Sequence, residues 1–130
     1  MYSVLQIIIA ECANAGSRSE ALRDAVSNNC STSVTSGGIA IIIADTPDLI
    51  DHFISLRDVL SKTAHILCAN LAEGGNAHLD TAIYPEEYSG RLLTELVFPS
   101  DVMRVLVASN IDWVISVYGS AELLLKSEKQ

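Results

Sequence analysis

A chain of 130 residues with 16 acidic and 8 basic side chains, net charge −8, has the length of one domain with a single core. Hydrophobic residues make up 49% and aromatics only 5%, so that core is aliphatic. The charge argues against direct nucleic-acid binding, which uses a stripe or patch of Lys and Arg; here Arg18, Arg23, Arg57, Arg91 and Arg104 are scattered. It argues equally against an anionic membrane surface, and no apolar run approaches the roughly 18 to 20 residues of a spanning helix. The opening MYSVLQIIIAE lacks the positive segment and small-residue cleavage site of a signal peptide. Three scattered cysteines, Cys12, Cys30 and Cys68, fit a reducing compartment and small buried apolar side chains better than a disulfide framework. The expectation is one compact cytoplasmic domain over residues 1–130. Its acidic surface either keeps it soluble or steers in a basic protein.

Val4 to Ala10 reads as a strand because of its isoleucine triplet. Ser17 with Glu20 three residues on has capping-box spacing and predicts a helix to Asn28-Asn29, with Ala21, Leu22, Ala25 and Val26 as its apolar stripe. STSVTSGG predicts a short edge strand turning at Gly37-Gly38 into Ile39 to Ala44, whose continuous β-branched run predicts burial on both faces. Thr46 and Pro47 form a helix start. The helix from Asp48 to Lys62 sets Leu49, Ile50, Phe53, Ile54, Leu56 and Leu60 inward, with Asp48, Asp51, Ser55 and Asp58 outward and His52 at the surface beside them. Ser61-Lys62-Thr63 then reads as a break and Ala64 to Leu71 as a third strand. It turns at Glu73-Gly74-Gly75-Asn76 into an alternating partner, Ala77 to Tyr84. A polar loop follows from Pro85 to Gly90. Arg91 to Phe98 fits a short helix or a strand, and Pro99 ends it. Ser100 is positioned as an N-cap for a helix that Asn110 closes in the left-handed conformation. Asp112 to Tyr118 is a strand with Trp113, Ile115 and Val117 on one side, and the last residues form a short helix. The order predicts an α+β fold: one mostly antiparallel sheet, helices on one face, with split βαβ, ferredoxin-like elements. A doubly wound parallel sheet fits poorly because the second half turns by hairpin.

From Asp48 to Gly119 the chain runs helix, strand, Gly-Gly turn, strand, loop, Ser-capped helix, and closes on IDWVISVYG. That cadence resembles an uncharacterised family of small bacterial α+β domains found beside polymorphic or contact-dependent toxins, where acidic proteins of this size act as immunity proteins. The tryptophan-containing strand that such domains often carry before the central helix is missing. The resemblance implies an immunity protein with no catalytic residues to carry over, and no cofactor is expected.

Motifs of chemistry are sparse. His65 and Cys68 lack further metal ligands at CxxC or HExxH spacing, so no metal site is expected. Cys12 follows Glu11 at a strand end, but no GxSxG elbow or partner histidine accompanies it. Neither Gly-Gly pair has phosphate-loop spacing. The stronger lead is an acidic loop flanked by tyrosines, Tyr84, Glu86, Glu87 and Tyr88, joined by the helix face of Asp48, Asp51 and Asp58. Tyrosines supply contact area with a polar tip, and carboxylates pair with Arg and Lys. These seven residues are the candidate partner-binding set. The expected function is inhibition of a basic toxin domain, often a nuclease, by covering its active site. The alternative is a ligand-sensing or oligomer-forming regulatory domain, a homodimer built through a sheet edge.

Overall fold

The structure, a computed structural model, describes residues 1–26, 30–43, 49–84 and 99–118. Its centre is β1 (Tyr2–Ile8), where every second side chain is buried: Ser3, Leu5 and Ile7. Such alternation is what a strand with one covered face requires. Helix α1 (Ala15–Val26) follows, then the hairpin β2 (Ser31–Thr35) and β3 (Gly38–Ile43), then α2 (Leu49–Ala72), β4 (Asn76–Ile83), α3 (Ser100–Ala108) and β5 (Asp112–Val117). The sheet order is β2-β3-β1-β4-β5. All pairs are antiparallel except β4 with β5, which are parallel. The α+β class and the helices packed against a mostly antiparallel sheet are as expected from the sequence.

Strands β3 and β4 are both antiparallel to β1 and lie on either side of it, so β3-α2-β4 is a split βαβ unit with β1 in the gap. The register stacks the core in rows across β3, β1 and β4. Ile43, Ser3 and Thr81 form one row, Ile41, Leu5 and Leu79 the next, and Ile39, Ile7 and Ala77 the third. Over these rows lies α2, 24 residues and about 36 Å long. Its Phe53, Leu56, Leu60 and Leu67 are buried, with Val59 beside them. Leu22 and Val26 of α1 and Val102 and Leu106 of α3 complete one aliphatic cluster. Each fully buried Leu or Ile contributes about 2 to 3 kcal/mol of transfer free energy.

The second half departs from expectation. Residues 64–71 are not a strand but the second half of α2, and β4 takes β1 as its antiparallel partner. Leu56, Leu60, Thr63, Leu67 and Asn70 continue one inward stripe at steps of three and four, through Ser61-Lys62-Thr63, which contains no helix breaker. The Thr63 hydroxyl is absorbed by the carbonyl of Val59 one turn back, at 2.8 Å. Residues 64–84 thus form no hairpin, and β4-α3-β5 is a parallel crossover. Strand β3 buries Ile39, Ile41 and Ile43, whereas Ala40 and Ile42 on its other face are only half-buried. Helix α1 starts two residues before Ser17, whose hydroxyl donates to the Asn14 carbonyl instead of capping. Ser100 is the first residue of α3 behind Pro99 and makes no side-chain cap.

Gly37 turns β2 into β3 as expected, whereas the Gly74 turn closes α2 and is not the hairpin expected between two strands. Gly37 and Gly74 have φ of 84° and 99°, and Asn110, at φ 51°, closes α3. The proposed helix start at Thr46-Pro47, the stop at Asn28-Asn29, residues 91–98 and the last residues fall outside the described part. No helix among the described residues is long and apolar enough to cross a membrane.

Candidate functional site

The parallel strands β3, β4 and β5 deliver their C-terminal ends, and α2 its first turns, to one end of the sheet, where β1 begins. On the sheet face opposite the helices, the register sets Tyr84 beside Tyr118 one residue beyond the Ile83–Val117 pair. Their rings stack at 5.3 Å between centroids and 20° between planes. The Tyr118 amide donates to the Ile83 carbonyl at 2.8 Å and holds the two chain ends together. Both rings remain exposed, at 37% and 52%. The row behind them is Tyr2, Ala82 and Ser116, and the next is Val4, Asp80 and Val114. Ala82 and Ser116 are small, so a depression of about 380 Å³ opens above them, walled by Tyr2, Val4, Asp80, Tyr84 and Tyr118.

Of the expected partner-binding residues, Tyr84 stands in this wall. Glu86, Glu87, Tyr88 and Asp48 fall outside the described residues. Asp51 is exposed in the first turn of α2, at the same end of the sheet but in the helical layer. Asp58 lies two turns further along, half-buried and paired with Lys62 at 2.9 Å, and its charge is felt at Cys30. The three described members therefore do not form one patch. Tyr118, Tyr2 and Asp80 were missed as companions of Tyr84, because strand register alone brings them together.

Directly beneath, on the helical side, runs a buried polar chain. Trp113 Nε1 donates to Thr81 Oγ1 at 2.8 Å, Thr81 Oγ1 bonds Ser3 Oγ at 2.9 Å, and Ser3 Oγ bonds His52 Nε2 at 2.8 Å. His52 is therefore not the surface residue its acidic neighbours suggested: it is 0% exposed, as is Ser3. It falls on the stripe of Leu56, Leu60 and Thr63, four, eight and eleven residues on. A hydroxyl against an imidazole is the geometry of a nucleophile and its base. Both groups are buried, and the chain of bonds ties β1, β4, β5 and α2 together.

At the opposite end, Asn70 of α2 clamps the end of β1. Its Nδ2 donates to the Ile8 carbonyl at 2.9 Å and its Oδ1 accepts the Ala10 amide at 2.8 Å. Arg18, with its side chain 8% exposed, reaches Asn70 Oδ1 at 3.4 Å, Cys12 Sγ at 3.7 Å and Glu73 at 3.0 Å. Hydrogen bonds from the Cys12 thiol and the Arg18 guanidinium hold the Glu73 carboxyl below its ordinary value. The Cys30 thiol is pushed up by burial and by Asp58, against a smaller opposing effect of Lys62. A second hollow of about 600 Å³ near Cys30 is lined by Glu20, Arg23, Asp24 and Thr32, two carboxylates against one guanidinium.

None of the three cysteines is fully buried: Cys12 and Cys30 are half-buried and Cys68 exposed, which corrects the expectation of buried apolar thiols. His65 and Cys68 share a helix, not a strand. Among the described residues no group of three or more His, Cys, Asp or Glu side chains could hold a metal ion. No protein-family model, curated protein or solved structure matches this chain.

Proposed function

We propose that this protein is a binding module and not an enzyme, an inhibitor of the immunity type that docks a basic protein domain at the tyrosine-bearing end of its sheet and covers that domain's active site. One observation carries the reading: a pair of stacked, exposed tyrosines on a chain of net charge −8. Aromatic anchors dominate the binding energy of protein interfaces, while charge of one sign speeds and selects the encounter. Asp51 at the same end adds to the field there, and Glu86 and Glu87 follow Tyr84 by two and three residues in the sequence. The test is capture from the source lysate with tagged protein, wild type beside Y84A/Y118A, at low and moderate salt. A single stoichiometric basic partner is expected, lost as salt rises and weakened about 30-fold or more by the double substitution. A stoichiometric partner indifferent to both would refute the docking end.

A second reading is favoured by β5. Its Val114, Ile115 and Val117 are all exposed, Val117 at 66%, and it forms the outer edge of the sheet among the described residues. The other edge, β2, carries Ser31, Ser33 and Thr35. An apolar edge strand is a template for another strand, and a second copy pairing there would make a homodimer. Light scattering on wild type and I115K decides it: a dimer that I115K converts to a monomer supports self-association, and a wild-type monomer rejects it.

A further inference from the structure

We infer that the depression above Ala82 and Ser116 is a cage for an organic cation, a guanidinium or ammonium group enclosed by Tyr2, Tyr84, Tyr118 and the carboxylate of Asp80. The argument starts from the strand register. Ala82 has Tyr2 beside it on β1 and Ser116 beside it on β5, so the floor is two small residues. One row outward stands the Tyr84–Tyr118 stack, and one row inward stands Asp80 between Val4 and Val114. Three aromatic rings and one carboxylate therefore surround a space of about 380 Å³, which falls within the range of small-ligand sites. The face of a phenol ring attracts a cation, and a carboxylate supplies the charge-assisted hydrogen bond that fixes its position. An anion would meet Asp80 and the field of a chain of net charge −8. An apolar ligand would desolvate that carboxylate and offer it no donor in exchange.

Asp80 also has a neighbour within the protein. Its Oδ2 lies 3.2 Å from Nε2 of His78, its neighbour on the same face. A carboxylate accepts several donors, so an incoming cation joins this contact or displaces it. The cage lies at the proposed docking end and deepens that reading: there, its occupant is an arginine or lysine side chain of the partner. A free small cation would satisfy the same chemistry, and the two sources can be told apart.

The experiment is a nuclear magnetic resonance titration of the full chain, following the tyrosine rings and the Asp80 amide. The probes are N-acetyl-arginine amide, tetramethylammonium chloride, and N-acetyl-citrulline amide, which keeps the shape of the arginine probe without its charge. Saturable shifts confined to Tyr2, Tyr84, Tyr118 and Asp80 are expected from the two cations and not from the citrulline compound. Affinity should fall about fivefold or more in D80N and in Y118A. A82L, which fills the floor from a half-buried position, should abolish the shifts while leaving the unfolding midpoint within a few degrees. An arginine-containing peptide that binds at least tenfold more tightly than the amide would assign the site to a protein-borne side chain; no gain from the peptide would assign it to a free cation. Equal response to citrulline, or retention of binding in both D80N and A82L, would overturn the cage. Capture of a basic partner that survives A82L would overturn the cage and leave the docking reading standing. Cation binding with no basic partner found would do the reverse.

Discussion

Replacing Gly75 by alanine should destabilise the protein through Asn70, and removing Asn70 should cancel most of that effect. A Cβ on Gly75 would overlap the Asn70 carboxamide at its carbon, nitrogen and oxygen atoms. Gly75 lies outside the left-handed region, so the overlap and not backbone strain sets the cost. To make room the carboxamide must swing away from the Ile8 carbonyl and the Ala10 amide that it now satisfies at 2.9 and 2.8 Å. Losing these two buried bonds costs about 1 to 2 kcal/mol each, so G75A should lose about 3 kcal/mol. N70A strips the same bonds and should lose a similar amount. The double variant should stand close to N70A alone, which makes the coupling about 2 to 3 kcal/mol. For a chain of this length each single change should lower Tm by about 10 °C. Urea unfolding of the four proteins by circular dichroism, with slopes compared, measures the cycle. Two losses that add to within about 0.5 kcal/mol would show that the carboxamide does not transmit the overlap and would refute the reasoning.

T81V should cost about 2 to 3 kcal/mol, because it deprives both Trp113 Nε1 and Ser3 Oγ of a partner, whereas T81S should stay within about 1 kcal/mol; chemical denaturation followed by Trp113 fluorescence tests both. E73Q should remove a contribution to stability that is present at neutral pH and lost in acid. The folded Glu73 carboxyl sits below its ordinary value of 4.5, so its contribution is full above 4.5 and disappears as pH falls through the lower folded value. Thermal melts of wild type and E73Q should therefore differ at pH 6 and converge in acid, and a difference that grows as pH falls would contradict the pairing. V117K should leave stability within about 0.5 kcal/mol, since the side chain it replaces is mostly in water; a larger loss by urea denaturation would show that β5 is covered in solution.

The sequence carried the parts of this fold that local chemistry decides. Gly37 turns β2 into β3, Asn110 takes the left-handed position after α3, and the alternation from Ala77 to Tyr84 assigns Leu79, Thr81 and Ile83 to the core. It concealed the length of α2, because a buried helix and a buried strand have the same aliphatic composition over eight residues. Only the phase of Leu67 and Asn70 with Leu56 and Leu60 separates them, and that phase becomes visible once Ser61-Lys62-Thr63 is recognised as ordinary helix surface. His52 was concealed by its neighbours Asp48 and Asp51, although its spacing to Leu56 and Leu60 points inward. Of the site, Tyr84 was legible as a tyrosine flanking the acidic pair Glu86-Glu87 in the sequence. Its companions were not, since Tyr2, Asp80 and Tyr118 meet only through β1–β4 and β4–β5 pairing, which lies far apart in sequence.

The polar row at the tyrosine end raises a physical question that the candidate site answers. A buried set of Ser3, His52 and Thr81 contributes little net stability, since its bonds replace bonds to water, and an apolar row of the same shape would hold the sheet equally well. What an apolar row lacks is direction. Strand β5 is parallel to β4, carries valine or isoleucine on both faces, and has one neighbour among the described residues. Apolar packing alone tolerates a slip of such a strand, and a slip of one residue would turn every side chain to the opposite face. Tyr118 would then point toward the helices and the stack with Tyr84 would be lost. The bond from Trp113 to Thr81 exists in one register only, and Thr81 is in turn held through Ser3 to His52 on α2. The buried chain thus sets the position of Tyr118 from below. T81V should consequently disturb the Tyr84 and Tyr118 ring resonances as well as stability, while a core change of equal cost away from this row, such as L22A, should leave those resonances in place.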